Sequence, residues 1–203
     1  MKPRLREVPP VIPVLRNPDD WQTLRGRGIA PKWVFLLGGT VDAVAQSTAI
    51  LQKHGWIVFI HVDMVRGLAN DAEGLRFLAD YASPDGIIST HSTTITHAKR
   101  ADLWTIQRIF LLDSQSITTG IQQVLSTRPD AVETLPGTLP EATRRIVKGV
   151  PCPVIAGGLV STSEEVTLMQ AAGVRGISTS NQKLWPKHSE SSSDFVNPKS
   201  GNE

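Results

Sequence analysis

The feature that most constrains this chain is an alternation. Short apolar, β-branched runs that tend to end in Gly, Asp, Ser or Asn are separated by longer stretches of helical periodicity. The runs are Val11 to Leu15, Trp33 to Leu37, Trp56 to Val62, Gly86 to Ser89, Thr105 to Leu111, Ala131 to Thr134, Pro153 to Ala156 and Gly176 to Thr179. Between them the period predicts helices at about 18–27, 41–54, 71–81, 92–101, 115–127, 138–148 and 162–172, with a short last one from about 180. Asp42, Asp71, Ser114, and Ser161 or Thr162 followed by Glu164 and Glu165, stand where N-terminal caps are needed. Eight parallel strands with intervening helices can close on themselves, which leaves no sheet edge, whereas an open doubly wound sheet needs fewer strands and a nucleotide fingerprint. The expected fold is therefore α/β, a compact TIM-barrel-like (β/α)8 parallel barrel in a single domain.

Length and composition bound that expectation. The chain has 203 residues, 40% of them hydrophobic, enough for one core and short of the ~250 residues typical of such barrels, so the loops must be brief. Residues 1–10 read as an N-terminal extension, 11–185 as the barrel, and 186–203, which are polar and without period, as a disordered tail. The longest apolar stretches fall far short of the ~20 residues that span a bilayer, so no membrane span is expected. The lone Cys152 cannot form an internal disulfide, and the first ten residues lack the apolar region of a secretory signal, so the expected location is cytoplasmic. A net charge of +2 is far from that of a protein that coats nucleic acid, although residues 1–32 hold seven Lys or Arg against three Asp or Glu. The histidines at 54, 61, 91, 97 and 188 show no metal-ligand spacing, and neither a Walker pattern nor a complete dinucleotide fingerprint is present.

In a parallel barrel, function gathers where strands end and helices begin. The seventh run finishes in Ala156-Gly157-Gly158-Leu159 and the eighth in Ser178-Thr179-Ser180-Asn181, just ahead of a short helical start. Adjacent glycines let backbone N–H groups approach an anion, and hydroxyls at a helix start add donors, so Gly157, Gly158, Ser178, Thr179, Ser180 and Asn181 are the candidate phosphate cradle. A bulky side chain at Gly157 is expected to crowd the phosphate and leave the fold largely intact. By a period of two, the third run places Ile57, Phe59, His61 and Asp63 on one face. Asp63 can accept from a ligand hydroxyl and His61 can donate to one or hold Asp63; an interior His–Asp network that merely fills the barrel is the alternative. Arg108 can grip an anion or pair with Glu133, and Glu133 can read a second hydroxyl or be that buried partner; alternation alone does not settle which way Arg108 faces. An enzyme acting on a small phosphorylated metabolite, an isomerase or lyase with Asp63 or Glu133 as general base, is the alternative function, but the missing strand-end lysines argue against a Schiff-base aldolase.

The strand ends also spell a pattern: VIPVLRN at 11–17, FIHVDMVRGL at 59–68, DGIISTHS at 85–92, TIQRIFLLDS at 105–114, PVIAGGL at 153–159 and STSNQKLW at 178–185. In this combination the chain resembles the glycerol-3-phosphate-responsive antiterminators, regulators of bacterial glycerol uptake operons, from about Val11 to Trp185. The resemblance implies a TIM-barrel-like regulator, with no reaction expected and no cofactor beyond glycerol 3-phosphate as effector. Once loaded, such a protein binds leader mRNA so that transcription reads through a terminator. It implies that 156–158 and 178–181 hold the phosphate and that Asp63, Arg108 and Glu133, with His61 beside them, line the glycerol end. His91 departs from the Lys or Arg usual after the IST triplet, and Thr134 from an aliphatic residue. For RNA contact the sequence offers four cationic clusters: Lys2, Arg4 and Arg6; Arg25, Arg27 and Lys32; Lys99 and Arg100; Arg144, Arg145 and Lys148. Aromatics, 5% of the chain, do not alternate with them, so a folded RNA shape or the surface of a homo-oligomer are the open modes of recognition.

Overall fold

The computed structural model of the chain describes residues 8–26, 28–30 and 32–186. Almost all of the expected tail, residues 1–7 of the extension, and the cluster of Lys2, Arg4 and Arg6 lie outside the described residues, as do Arg27 and His188.

Strands β1 (Val11–Leu15), β2 (Trp33–Leu36), β4 (Ile57–His61), β6 (Gly86–Ser89), β7 (Trp104–Phe110), β8 (Ala131–Leu135), β9 (Val154–Gly157) and β10 (Gly176–Thr179) form a closed barrel in the order β1-β10-β9-β8-β7-β6-β4-β2. Every neighbouring pair is parallel, β1 meeting both β2 and β10. Helices α2 (Val41–Lys53), α3 (Ala72–Tyr81), α4 (Ser92–Arg100), α5 (Ser114–Thr127), α6 (Pro140–Gly149) and α7 (Ser163–Ala171) return the chain between strands. The first expected helix is instead a 3-10 turn at Pro18–Trp21 followed by a short α1 (Gln22–Gly26). Two strands were not anticipated: β3 (Gly39–Thr40) and β5 (Val65–Arg66) pair with each other above the barrel mouth. Among the described residues no helix is long and apolar enough to cross a membrane.

Local chemistry sets the helix starts. Asp71 and Thr162 accept from the amides of Gly74 and Glu165, as expected, and Glu165 reaches back to complete a capping box. Two caps lie nearer the strands than read from sequence: Thr40 caps α2 in place of Asp42, and Asp113 caps α5 in place of Ser114. The residue with extended backbone just before the first helical turn takes the cap, and here that is the last residue of the strand-end loop.

Alternation then sorts side chains. One strand parity turns outward, where Val34, Leu36, Val58, Ile60 and Ile87 pack under Val44, Leu51, Leu75, Leu78 and Ile95 of the helices. The other fills the barrel with Ile12, Val14, Trp33, Phe35, Phe59, Ile88, Trp104, Ile106, Ala131 and Ile155. The Phe59 ring lies 4.8 Å from Trp33, 5.7 Å from Phe35 and 6.2 Å from Trp104, centroid to centroid. Gly86 makes room for it, since a Cβ there would fall 2.6 Å from Phe59 Cε1. The lower two layers are thus a solid apolar plug. Polar inward positions are left at the C-terminal mouth.

Candidate functional site

The next inward residues above the plug are His61 of β4, Arg108 of β7, Glu133 of β8, Gly157 of β9 and Ser178 of β10. β7 begins at Trp104, so Trp104, Ile106 and Arg108 share the interior parity. Gln107 faces the helices, donating to Ser92 Oγ and accepting from Thr127 Oγ1. Arg108 and Glu133 sit in register on adjacent strands, and Arg108 Nε donates to Glu133 Oε2 at 2.8 Å. Their side chains are only 9% and 2% exposed, which makes this a buried ion pair. Glu133 Oε1 accepts from Ser178 Oγ at 2.5 Å, so both its carboxylate oxygens are engaged across three strands. Among the described residues no acceptor meets the two terminal nitrogens of Arg108, and these remain as donors at the mouth.

Gly157 belongs to this assembly. A Cβ there would fall 2.6 Å from Glu133 Oε1 and closer still to Ser178 Oγ. The expectation that a bulky residue at 157 would leave the fold largely intact is therefore corrected: the space it would occupy is held by the Glu133–Ser178 contact.

His61 is buried, and its pKa is lowered to about 4 by burial and by Arg108, against the opposing pull of Asp63 and Glu133. It is neutral near pH 7, and among the described residues its buried Nδ1 has no hydrogen-bond partner. The expected strand phase breaks just after it: β4 ends at His61, and Val62–Met64 wind into a 3-10 turn. Asp63 is consequently steered toward the end of β6. One of its oxygens accepts from Ser89 Oγ at 2.6 Å, the other from Thr90 N and Thr90 Oγ1 at 2.7 Å each. Burial raises its pKa, yet those three hydrogen bonds and the nearby His61 outweigh it and hold the carboxyl below its ordinary value. No hydrogen bond joins His61 to Asp63 among those described; Ser89 and Thr90 fix Asp63 instead. Those two residues were not read as part of the site, although a hydroxyl pair at a strand end before a helix is the signal that marks them.

The two loops proposed for an anion adjoin each other. Gly158 is exposed, with φ +73°, and its carbonyl accepts from Gly137 N of the preceding loop. Thr179, on the outward parity, donates to Val160 O at 3.2 Å and accepts from Asn181 N at 3.0 Å. Asn181 donates to Ser161 O and accepts from Lys183 N, while Trp185 Nε1 donates to Thr179 O. Ser178, Thr179 and Asn181 are thus fasteners that bind β10 to Glu133 and to the loop after β9. Ser180 is half-buried with an uncommitted hydroxyl, and the backbone N–H groups of Gly158, Leu159 and Ser180 donate to no described carbonyl. Sequence reading missed Gly137, Val160 and Trp185, whose contacts join loops far apart in the chain.

Among the described residues no group of three or more His, Cys, Asp or Glu side chains is placed to hold a metal ion. Burial pushes the Cys152 thiol up to about 11, and it stands before β9, at the opposite end of the barrel from this layer.

Comparison with known proteins identifies a family and several similar chains. The family described as glycerol-3-phosphate responsive antiterminators matches residues 11–185. The glycerol uptake operon antiterminator regulatory protein from Listeria monocytogenes is 34% identical, superposes with a TM-score of 0.82, and the match covers 88% of this chain and 98% of that one. A glycerol uptake operon antiterminator-related protein from Thermotoga maritima is also 34% identical, with a TM-score of 0.75 over 87% and 97% of the two chains. YgcP of Escherichia coli K12, an uncharacterized protein, is 32% identical over 154 residues, 76% of this chain and 81% of that one.

Proposed function

The chain belongs to the glycerol-3-phosphate responsive antiterminator family, and from that premise we propose that it binds glycerol 3-phosphate at the barrel mouth and, when loaded, binds the leader mRNA of glycerol uptake genes as a transcription antiterminator. The observation that carries the reading is the polar layer of Arg108, Glu133 and Ser178 on top of an apolar plug, beside loops with unspent anion donors. A small ligand with one anionic and one hydroxylated end fits such a mouth. The phosphate lies against the Gly157–Gly158 turn and the loop from Ser178 to Asn181, taking hydrogen bonds from the main chain of Gly158 and Ser180 and from the Ser180 hydroxyl. The glycerol hydroxyls meet Arg108, Glu133 and the His61–Asp63 edge. Neutral donors near the phosphate, rather than lysines, select shape and hydrogen bonding over bare charge.

The reading as a regulator rather than an enzyme is supported by how the titratable groups are spent. Glu133 is bound on both oxygens, Asp63 accepts three hydrogen bonds, and His61 is buried. A general base needs an open lone pair within reach of the substrate proton; the Glu133 and Asp63 carboxylates are committed to holding the mouth together, which leaves the buried His61 Nδ1 as the group without a partner among the described residues. Antitermination requires that the effector bind the RNA-competent state more tightly than the other state. Calorimetric titration should show glycerol 3-phosphate binding with glycerol and inorganic phosphate each much weaker, and a mobility-shift titration of the leader transcript should tighten when the effector is added. Identical RNA curves with and without it would reject the switch.

A further inference from the structure

The molecule is electrically polarised along the barrel axis. Helices in this fold start at the mouth, and their first turns and caps carry Asp19, Asp42, Asp71, Asp113, Glu141 and Glu164. The opposite face, where strands begin, carries Lys32, Lys53, Arg100, Arg128, Lys148 and Arg175, all at least partly exposed. Compensation of the helix dipole accounts for Lys53, Arg100 and Lys148, which stand in last turns. The same holds for Arg128, the left-handed C-cap of α5, but not for Lys32 and Arg175, which sit in the links that enter β2 and β10.

Among the carboxylates on this face Asp80 and Asp102 are exposed, and two others are withdrawn. Asp85 accepts from Val58 N and Gln52 Nε2, and Asp130 from the amide and hydroxyl of Thr105, so both are spent bracing strand starts. Lys99 is likewise occupied, donating to the carbonyls of Thr127 and Arg128 at the end of α5, which brings the end of α4, with Arg100, up to Arg128. The aromatics next to these cations in sequence, Trp33 and Trp104, are turned into the barrel. Beside Lys53 the exposed His54 ring stacks on Trp21 with centroids 6.4 Å apart, so one face of it is already taken, and the cationic surface suits phosphate contacts along a folded RNA backbone better than the reading of unpaired bases. The rim around the mouth is mixed, its acids standing among the exposed Arg16, Arg66 and Lys183 with Glu141 paired to Arg144, and offers RNA phosphates no comparable run of cations.

We infer that the strand-entry face, from Lys148 and Arg175 round through Arg128, Arg100 and Lys53 to Lys32, is the RNA-docking surface, at the opposite end of the barrel from the effector. The inference rests on the RNA-binding reading above and adds the place where contact is made. Effector and RNA then never touch, and the coupling runs through the barrel wall.

The test uses the full chain with two probes: the leader transcript that precedes the glycerol uptake genes of the encoding genome, and a 20-base-pair RNA hairpin as a nonspecific control. Two double variants reverse charge on the strand-entry face, K148E/R175E and R100E/R128E. A third, R66E/K183E, makes the same change in charge at the mouth rim. Fold is checked by circular dichroism and by retained glycerol 3-phosphate affinity. The strand-entry variants should weaken leader binding roughly tenfold or more and reduce its salt slope by about 1 for each RNA phosphate left without its cation, while the rim variant stays close to wild type. If the rim variant loses RNA and the strand-entry variants keep it, the surface is misassigned and the functional reading stands. If wild type binds neither probe with effector present, that reading and this inference both fall.

Discussion

Removing the charge of Arg108 is the sharpest probe of the mouth. In Arg108→Met the Glu133 carboxylate keeps its hydrogen bond from Ser178 but loses the cation paired with it, in a position 2% exposed. An uncompensated buried charge of this kind destabilises by about 3–5 kcal/mol. Glu133→Gln keeps the shape and a partner for Ser178 and strands the guanidinium instead. Because Arg108 is 9% exposed and its terminal nitrogens face the mouth, water relieves part of that cost, roughly half of it or less. The double variant leaves no stranded charge, so its loss should fall short of the sum of the single losses by roughly 2 kcal/mol, within the coupling range of residues sharing a network. Urea denaturation of the four proteins at pH 7, read as midpoints at a common slope, measures this directly. Glycerol 3-phosphate binding should be lost in all three variants, including the double one that carries no stranded charge, which separates binding from folding. Singles that each cost under about 1 kcal/mol, or a strictly additive cycle, would refute the claim that the pair is a coupled buried element.

Other outcomes follow from the same layer. Gly157→Ala places a methyl 2.6 Å from Glu133 Oε1 and should cost about 1–3 kcal/mol in thermal or urea unfolding while abolishing effector binding; unchanged stability would show that the Glu133–Ser178 contact yields easily. His61 has a folded pKa depressed to about 4, so the unfolded chain takes up its proton first as pH falls. Stability should decline from about pH 6.5 to pH 4 by roughly 3 kcal/mol from this residue, and His61→Leu should flatten that slope. Asp63 acts in a lower window: its stabilisation is present above the unfolded carboxyl value of 3.8 and is lost as pH falls through its lower folded value. Asp63→Asn should therefore remove an acid-unfolding component below that point and speed hydrogen exchange at the Thr90 amide, and unchanged exchange there would mean another group holds the loop.

How much of this was legible in the sequence depended on whether each strand buries one chemistry per face. Where both faces are apolar, as in β2 and β9, the strand and its place in the barrel could be read from composition alone. β7 defeated alternation because both of its faces are buried and both carry polar groups: Thr105 and Gln107 outward among helix hydroxyls and Asp130, Arg108 inward against Glu133. A period of two identifies a face only when the faces differ in solvent, and in a parallel barrel they do not. Asp63 escaped for a different reason, since the extended phase that would have pointed it inward ends at His61. The same limit explains why the loops after β9 and β10 could be recognised as anion-friendly while the division of labour inside them could not. Glycine and hydroxyl content reports donors, but whether a hydroxyl faces ligand or fastens a neighbouring loop depends on strand parity at its base. Ser178 and Thr179 are adjacent and similar, yet one turns into the barrel to Glu133 and the other outward to Val160. It follows that Thr179→Val should loosen the junction between these loops without removing a ligand contact: effector affinity should fall several-fold through weakened preorganisation, whereas Ser180→Ala removes a direct donor and should cost affinity with stability unchanged within about 0.5 kcal/mol. Calorimetry paired with thermal unfolding on the two variants distinguishes them, and the reverse pattern would show that the parity assignment at the end of β10 is inverted.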